Sequence, residues 1–409
     1  MTPADLSRTV LHAVRRAVDE DALRAPVPAR VRVERTRPGG SGDYACAVAL
    51  QLAGPAALPA LEVARILRER VAAEPGVGRV EITGPGFLSF TLDAPAESDR
   101  AVLAAVREQG LAYGHGDALR DEIHQFHHAR EVRAAVTAQA VFRLLVAQGA
   151  RGRTTCEQAP DPDWVRLGVT VNAYGTPPTP LTEIRPVPAG ATAGELLERL
   201  GPDAARWGLL RAAGHDRAAL GPELLVQGEA NPLFRVRYAH ARARALTRGA
   251  AALGFTAEAA PYGESPAEPA AHGASPAEPA AHGASPAEPA AHGASPAAQA
   301  AHGASPAAQA ANAAPAPYDR AARPLLDLIA DHPGVLLAGA RHRAPDRVAR
   351  QLEAVAHAFF DFHDSCPPLP AGDEKPSAAH RARLAIAEAA GTVLAGGLSL
   401  LGIRAPEHL

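Results

Sequence analysis

Residues 231 to 250 hold five arginines, Arg235, Arg237, Arg242, Arg244 and Arg248, and no acidic residue. Such a run makes a local positive field that meets phosphates with salt-sensitive, sequence-independent affinity. Tyr238 and His240 lie within it, and such rings stack on and hydrogen-bond to unpaired bases. The plain alternative is the solvated basic face of a helix. A second cluster, His357, Phe359, Phe360, Phe362 and His363, precedes Pro367. Aromatic rings at helical spacing bury together, so most of this cluster is expected in the core, with His357 and Phe360 left as contacts.

His124, His127 and His128 form an HxxHH string, but no carboxylate or cysteine stands at ligand spacing, so no metal site is expected there. Lys375, in a Gly-Asp-Glu-Lys-Pro loop, is the only lysine. Chemistry that needs an ammonium elsewhere in the chain has none to use. No Ser, His and Asp arrangement, phosphate-binding Gly-rich loop or HxxxH helix emerges elsewhere.

These residues need elements to hold them. At about 100° per residue, Val236, Ala239, Ala243 and Leu246 share one face of a helix over 234–248. Arg237, Arg244 and Arg248 fall opposite, and Arg235 and Arg242 flank the apolar face. Helical patterns dominate 201–256 and 318–409, which predicts one bundle split by an insert. Between 261 and 310 run five ten-residue units of the type AHGASPAEPA. With almost no large apolar side chains, residues 257–316 are expected to be a disordered tether. His272, His282, His292 and His302 recur at a spacing that preorganises no metal site.

Upstream, residues 117–200 show one helical run, 129–148, ended by Gly149, and then a Pro-rich stretch from 159 to 188. A complete nucleotide-binding domain does not fit there. Residues 1–116 read as a small α+β domain. An amphipathic helix carries Leu6, Val10, Ala13, Val14 and Ala17; a strand over 31–34, a turn at 37–42 and a helical run through 57 follow. A helix over 61–71 and strands over 79–83 and 86–92 complete it.

Composition bounds the rest. At 409 residues, 47% hydrophobic and 21% charged, the chain is long enough for two or three cores, as in a soluble multidomain protein. A net charge of −3 gives no global pull toward nucleic acid, so affinity has to be local. Forty of the 41 basic residues are arginine, a bias that a GC-rich genome produces. The first ten residues lack the pattern of a secretory signal, and no apolar stretch reaches the roughly 18 residues of a spanning helix, so no membrane is expected. Cys46, Cys156 and Cys366 are odd in number and far apart, which predicts reduced thiols and a cytoplasmic location.

The string NPLFRVRYAHAR (231–242) closely resembles the NP-x-x-Y-V-Q-Y-A-H-A-R signature that opens the anticodon-binding helical domain of arginyl-tRNA synthetases. GPDAARWGLLR (201–211) resembles the Gly-x-Asp-Ala-Leu-Arg element that gives this domain its DALR name, with Ala205 in place of leucine. GGLSLLGIRAPEHL (396–409) resembles the family's closing Leu-Leu-Gly-x-x-Ala-Pro-Glu-Arg-Met, which implies a natural C-terminus. GDYACAVALQLA (42–53) and GPGFLSF (84–90) resemble motifs of the synthetase's additional domain, with Ala47 and Ser89 where the family usually has asparagine. HQFHHAREVRAAVTAQAVFRLLVAQG (124–149) resembles the HVGHARG helix, with Gln125 and His127 where the first His and the Gly belong. Thr182-Glu183-Ile184-Arg185 falls where KMSK would lie.

The resemblance implies an α+β, mainly α protein. Its parts are an additional domain (1–116), a shortened remnant of the α/β nucleotide-binding domain (117–200) and a DALR-type helical bundle (201–409) carrying the insert. It implies tRNA, arginine-type, as partner. Asn231, Arg235, Arg237, Tyr238, His240, Arg242, Arg244, His357 and Phe360 are then candidates for the anticodon arm, and Asp43, Tyr44, Phe87 and Phe90 for the D-arm. His127, His128, Arg130 and Arg185 are remnants of an ATP site. A side chain at His127 fills the space adenine needs, and Arg185 is no substitute for a compact ammonium. The expectation is a non-catalytic tRNA-binding protein with no cofactor, presenting its tRNA to a tRNA-dependent enzyme. The alternatives are an arginine–tRNA ligase using ATP through a divergent site, and a protein-interaction scaffold that no longer binds RNA.

Overall fold

A computed structural model describes residues 3–36, 42–74, 77–92, 95–259 and 320–408. From residue 260 on, the expected tether and its four histidines lie outside the described residues, as does most of the turn at 37–42.

The N-terminal domain packs three helices, α1 (Pro3–Asp19), α2 (Val48–Ala56) and α3 (Ala60–Ala72), against a four-stranded antiparallel sheet. The sheet runs β1-β2-β4-β3, with β1 Val33–Arg35, β2 Tyr44–Cys46, β3 Val77–Thr83 and β4 Phe87–Leu92. Residues 44–46 were expected to be helical. They are a strand because Tyr44 and Cys46 alternate inward against Phe90 and Leu88, a period too short to register beside the apolar run of α2. Leu6, Val10, Ala13, Val14 and Ala17 are all buried in this domain's core, as the helical spacing predicts.

After α4 (Pro95–Gln109), which packs into the second and larger core, comes a parallel sheet ordered β7-β6-β5-β8. Its strands are β5 Ile123–His128, β6 Arg151–Cys156, β7 Ala173–Tyr174 and β8 Thr182–Glu183. Parallel neighbours need a crossover, and α5 (Val132–Ala147) supplies it between β5 and β6. The helix begins three residues later than the sequence pattern predicts, because the histidine string belongs to β5. Both edge strands are two residues long, so this is an abbreviated βαβ unit.

The rest is helical: α6 (Ala193–Arg211), α7 (Pro232–Ala252), α8 (Arg323–His342), α9 (Asp346–Ser365) and α10 (Ala378–Leu401). Helix α6 breaks at Gly201 (φ 72°) before Pro202, so its two halves pack on different neighbours. Helix α10 is long and apolar enough to cross a membrane by length and composition, although no such stretch was expected, yet most of its apolar window is buried against α7 and α9. It approaches α7 closely because Gly391 has no side chain: a Cβ there would sit 2.8 Å from that of Ala243. All three cysteines are buried and free.

Candidate nucleic-acid interface

Helix α7 starts at Pro232, whose missing N–H costs nothing in a first turn, behind Asn231 as N-cap. The Asn231 side-chain oxygen accepts from the N–H groups of Leu233 (3.1 Å) and Phe234 (3.4 Å), and its amide donates to the carbonyls of Leu224 (2.8 Å) and Val226 (2.9 Å). At 4% exposure, this candidate RNA contact is instead a cap that ties the preceding loop to the helix. His240 is corrected in the same way. It is 5% exposed, its Nδ1 is 3.0 Å from the Gly391 carbonyl, and burial pushes its pKa down. Two residues past Tyr238, it turns about 200° away and fills the α7/α10 contact.

On the outer side of α7, Phe234, Tyr238 and Arg242 follow at i, i+4 and i+8. The Phe234 and Tyr238 rings stack at 5.6 Å and 8°, and Tyr238 stacks on Phe360 of α9 at 5.5 Å and 23°. Phe360 is braced edge-on by buried Phe359 at 5.4 Å. Tyr238 keeps 43% of its surface exposed, so a preformed aromatic shelf faces solvent. Arg242 extends the shelf as an exposed cation, and Arg235 at its other end donates to the Glu229 carbonyl. His357 is exposed on the next turn of α9, 3.7 Å from Asp361. Phe234 was not among the expected contacts, although its spacing from Tyr238 was readable.

The remaining arginines of the stripe are less free than charge counting implied. Arg237 lies 3.9 Å from Asp203, Arg244 pairs with Glu407 at 3.1 Å, and Arg248 reaches the Glu407 carbonyl. The DALR-like element explains part of this. Asp203 accepts from both the backbone and the side chain of Arg404, while buried Arg206 donates to the carbonyls of Leu401 and Leu167. Burial lowers the Arg206 pKa to about 9. The motif therefore clamps the end of α10 and lays the C-terminal segment along α7.

In the N-terminal domain, Asp43 and Phe87 are exposed, and Tyr44 (4%) and Phe90 (0%) are core residues paired across β2 and β4. Of the four D-arm candidates, only the first two are on the surface. Ala47 is the N-cap of α2 and offers no side-chain bond, and Ser89 is buried with its hydroxyl 2.9 Å from that of Thr83.

Of the residues expected as remnants of an ATP site, His127, His128 and Arg130 lie at the C-terminal end of β5 and Arg185 just after β8, the strand ends at which open α/β sheets bind ligands. His127 is paired on both sides, with Thr155 and Glu183, and its buried Nδ1 has no partner. His128 is buried against Trp164, bonds the Ala129 carbonyl, and has its pKa lowered by burial. Arg130 is exposed and donates to the Ala159 carbonyl, and exposed Arg185 pairs with Glu183 at 2.7 Å. Glu131 occupies the N-terminus of α5: one carboxylate oxygen accepts from Ala134 N–H (2.8 Å), the other from Ala189 N–H (2.9 Å). A helix N-terminus following a β-strand is a natural phosphate seat, and here the protein's own carboxylate fills it. Buried Arg133 sends its five N–H groups to the carbonyls of Leu209, Val187, Asp216, Ala212 and Ala213, which anchors the segment after α6 and leaves no donor for a nucleotide. Among the described residues no cluster of metal-ligating side chains occurs.

The comparisons with known proteins agree with the two ends of the chain. A family model described as the arginyl tRNA synthetase N terminal domain matches residues 5–92, and one described as the DALR anticodon binding domain matches 297–409. The chain is thus similar to arginyl-tRNA synthetases in its N-terminal domain and in its C-terminal helical part. This synthetase-like protein is 48% identical over 117 residues to an arginine–tRNA ligase of Frankia alni, covering 28% of the chain and 20% of that enzyme. It is 39% identical over 163 residues to that of Renibacterium salmoninarum, covering 37% and 29%. Its matched parts thus span less than a third of the curated relatives' lengths. Among solved structures, arginyl-tRNA synthetase of Thermus thermophilus shares the fold at a TM-score of 0.60 and 13% identity, with both chains covered in full. That of Plasmodium falciparum does so at 0.58 and 7%, covering 100% of this chain and 99% of that one.

Proposed function

We propose that this protein holds a tRNA, arginine-type, by its anticodon arm and does not activate an amino acid. The observation that carries the first half is the Phe234–Tyr238–Phe360 shelf, open to solvent at Tyr238 and bordered by Arg242; Phe360 lies within residues 297–409, which match the model described as anticodon binding, and α7 packs on that segment. Stacking on such a shelf is worth roughly 1 to 3 kcal/mol per base and tolerates sequence; arginine phosphate contacts add salt-sensitive affinity. Specificity for arginine-type tRNA follows the family resemblance, and Asp43 with Phe87 offers a second, smaller contact toward the D-arm.

The second half rests on Glu131 at the N-terminus of α5, His127 in the strand before it, and the lack of any lysine but Lys375. A tRNA held without being charged implies an enzyme that receives it. Gel-shift titration with arginine tRNA tests the binding, and ATP–pyrophosphate exchange tests the activation. The expected results are a retarded complex and no arginine-dependent exchange. Arginine-dependent exchange would establish the ligase instead.

A further inference from the structure

A cleft of about 420 Å³ opens between the segment after α6 and the turn joining α8 to α9. His342, Arg343 and Arg347 line it from the turn, and His215 from the opposite wall, over a floor made by Arg133. Two acids face it. Asp346 is buried and held by Arg350, and Asp216 is exposed beside His215 at 3.8 Å. Arg343 and Arg347 are exposed, and neither has an ion pair among the described residues. The positive end of the α9 dipole adds to their field.

Arg343 caps α8 with φ 54°, the left-handed conformation that favours glycine and costs an ordinary residue about 1 kcal/mol. An arginine kept in that conformation, with its charge turned to a cleft, points to use of the side chain.

The cleft and the aromatic shelf share one helix. Along α9, Arg347, Arg350, His357 and Asp361 recur at the three- and four-residue steps of a single exposed face, and Phe360 borders it. At roughly 1.5 Å per residue, Arg347 is about 20 Å from Phe360 along the axis. We infer that the cleft of Arg343 and Arg347 is a second anchoring site for the same RNA, which seats backbone phosphates of the stem while the shelf holds unpaired bases. This rests on the tRNA-binding reading and adds a contact that carries no sequence preference.

Fluorescence anisotropy of labelled tRNA across a salt series tests it, using the full chain, R343G/R347A and Y238A. Glycine suits the Arg343 backbone, so the double variant removes charge without strain, and its thermal melt should match the parent's. The salt slope of its affinity should be shallower by about 1.8, from two lost phosphate contacts, with tRNA bound at least about tenfold more weakly at low salt. Binding to a short single-stranded loop oligonucleotide should be unchanged. Y238A should weaken both RNAs and keep the slope. A double variant with the parent's tRNA affinity and slope, beside a weakened Y238A, would overturn the cleft alone. A normal Y238A beside a weakened double variant would overturn the shelf. A full chain that retains no tRNA would overturn both.

Discussion

Tyr238 is the residue on which the binding account turns. It stacks with both Phe234 and Phe360, and its exposed surface, 43%, is the part of the shelf a base can reach. Y238A should weaken tRNA binding roughly tenfold to hundredfold, the worth of one stacked base, with the thermal melt little changed because the ring is half exposed. N231A should behave in the opposite way. It removes an N-cap and leaves two loop carbonyls without a donor, so it should lower stability by about 2 kcal/mol in denaturant titrations without altering the salt slope of RNA binding. Both residues stand in the same signature string, and the string alone does not separate them. Helical rotation does, since Tyr238 follows Phe234 by four residues and faces out. Asn231 precedes the first turn, a position where an asparagine more often closes a helix than meets a ligand. His240 was legible by the same rotation, being flanked by the buried Ala239 and Ala241.

Elements decide which charges remain available. The C-terminal segment after α10 places Glu407 beside Arg244 and Arg404 beside Asp203, contacts across about 160 and 200 positions of sequence that no local pattern contains. The abbreviated parallel sheet was illegible for a related reason. Its edge strands have two residues each, and β5 carries histidines where alternating apolar residues would announce a strand. Helix α5 was legible as a helix but not as a buried one, and its one fully buried arginine, Arg133, shows why it matters. R133M should remove the donors of five carbonyls and cost about 3 kcal/mol or more in a guanidinium melt, with the loss of order centred on the segment after α6. In α8, His332 is buried, with its ring 2.6 Å from Gln351, and burial holds its pKa at about 4 against a usual 6.5. The unfolded chain therefore takes up this proton at higher pH than the folded one, and stability should fall as pH drops from about 6.5 toward 4. Urea melts at steps across that range should show a weaker pH dependence for H332Q; an identical dependence would remove His332 as its source.

At the scale of the whole molecule, two domains related to those of arginyl-tRNA synthetases flank a reduced βαβ unit, and the features that speak against activation all lie in that unit. Glu131 and Arg133 satisfy backbone groups that a nucleotide site would leave open. E131G should destabilise the α5 N-terminus without creating ATP–pyrophosphate exchange, because Lys375 is the chain's one lysine. The N-terminal α+β domain and the C-terminal helical bundle were readable from the motifs near the two ends; that residues 117–200 share one core with the bundle was not. The continuity of shelf, α9 face and cleft was not, because it depends on how α7 and α8 pack on α9. The most direct test of the central claim is a low-salt titration of the full chain with arginine tRNA and, separately, with a tRNA of unrelated anticodon. The account predicts saturable binding that is tighter for arginine tRNA. Absent binding, or equal affinity for the two, would contradict it.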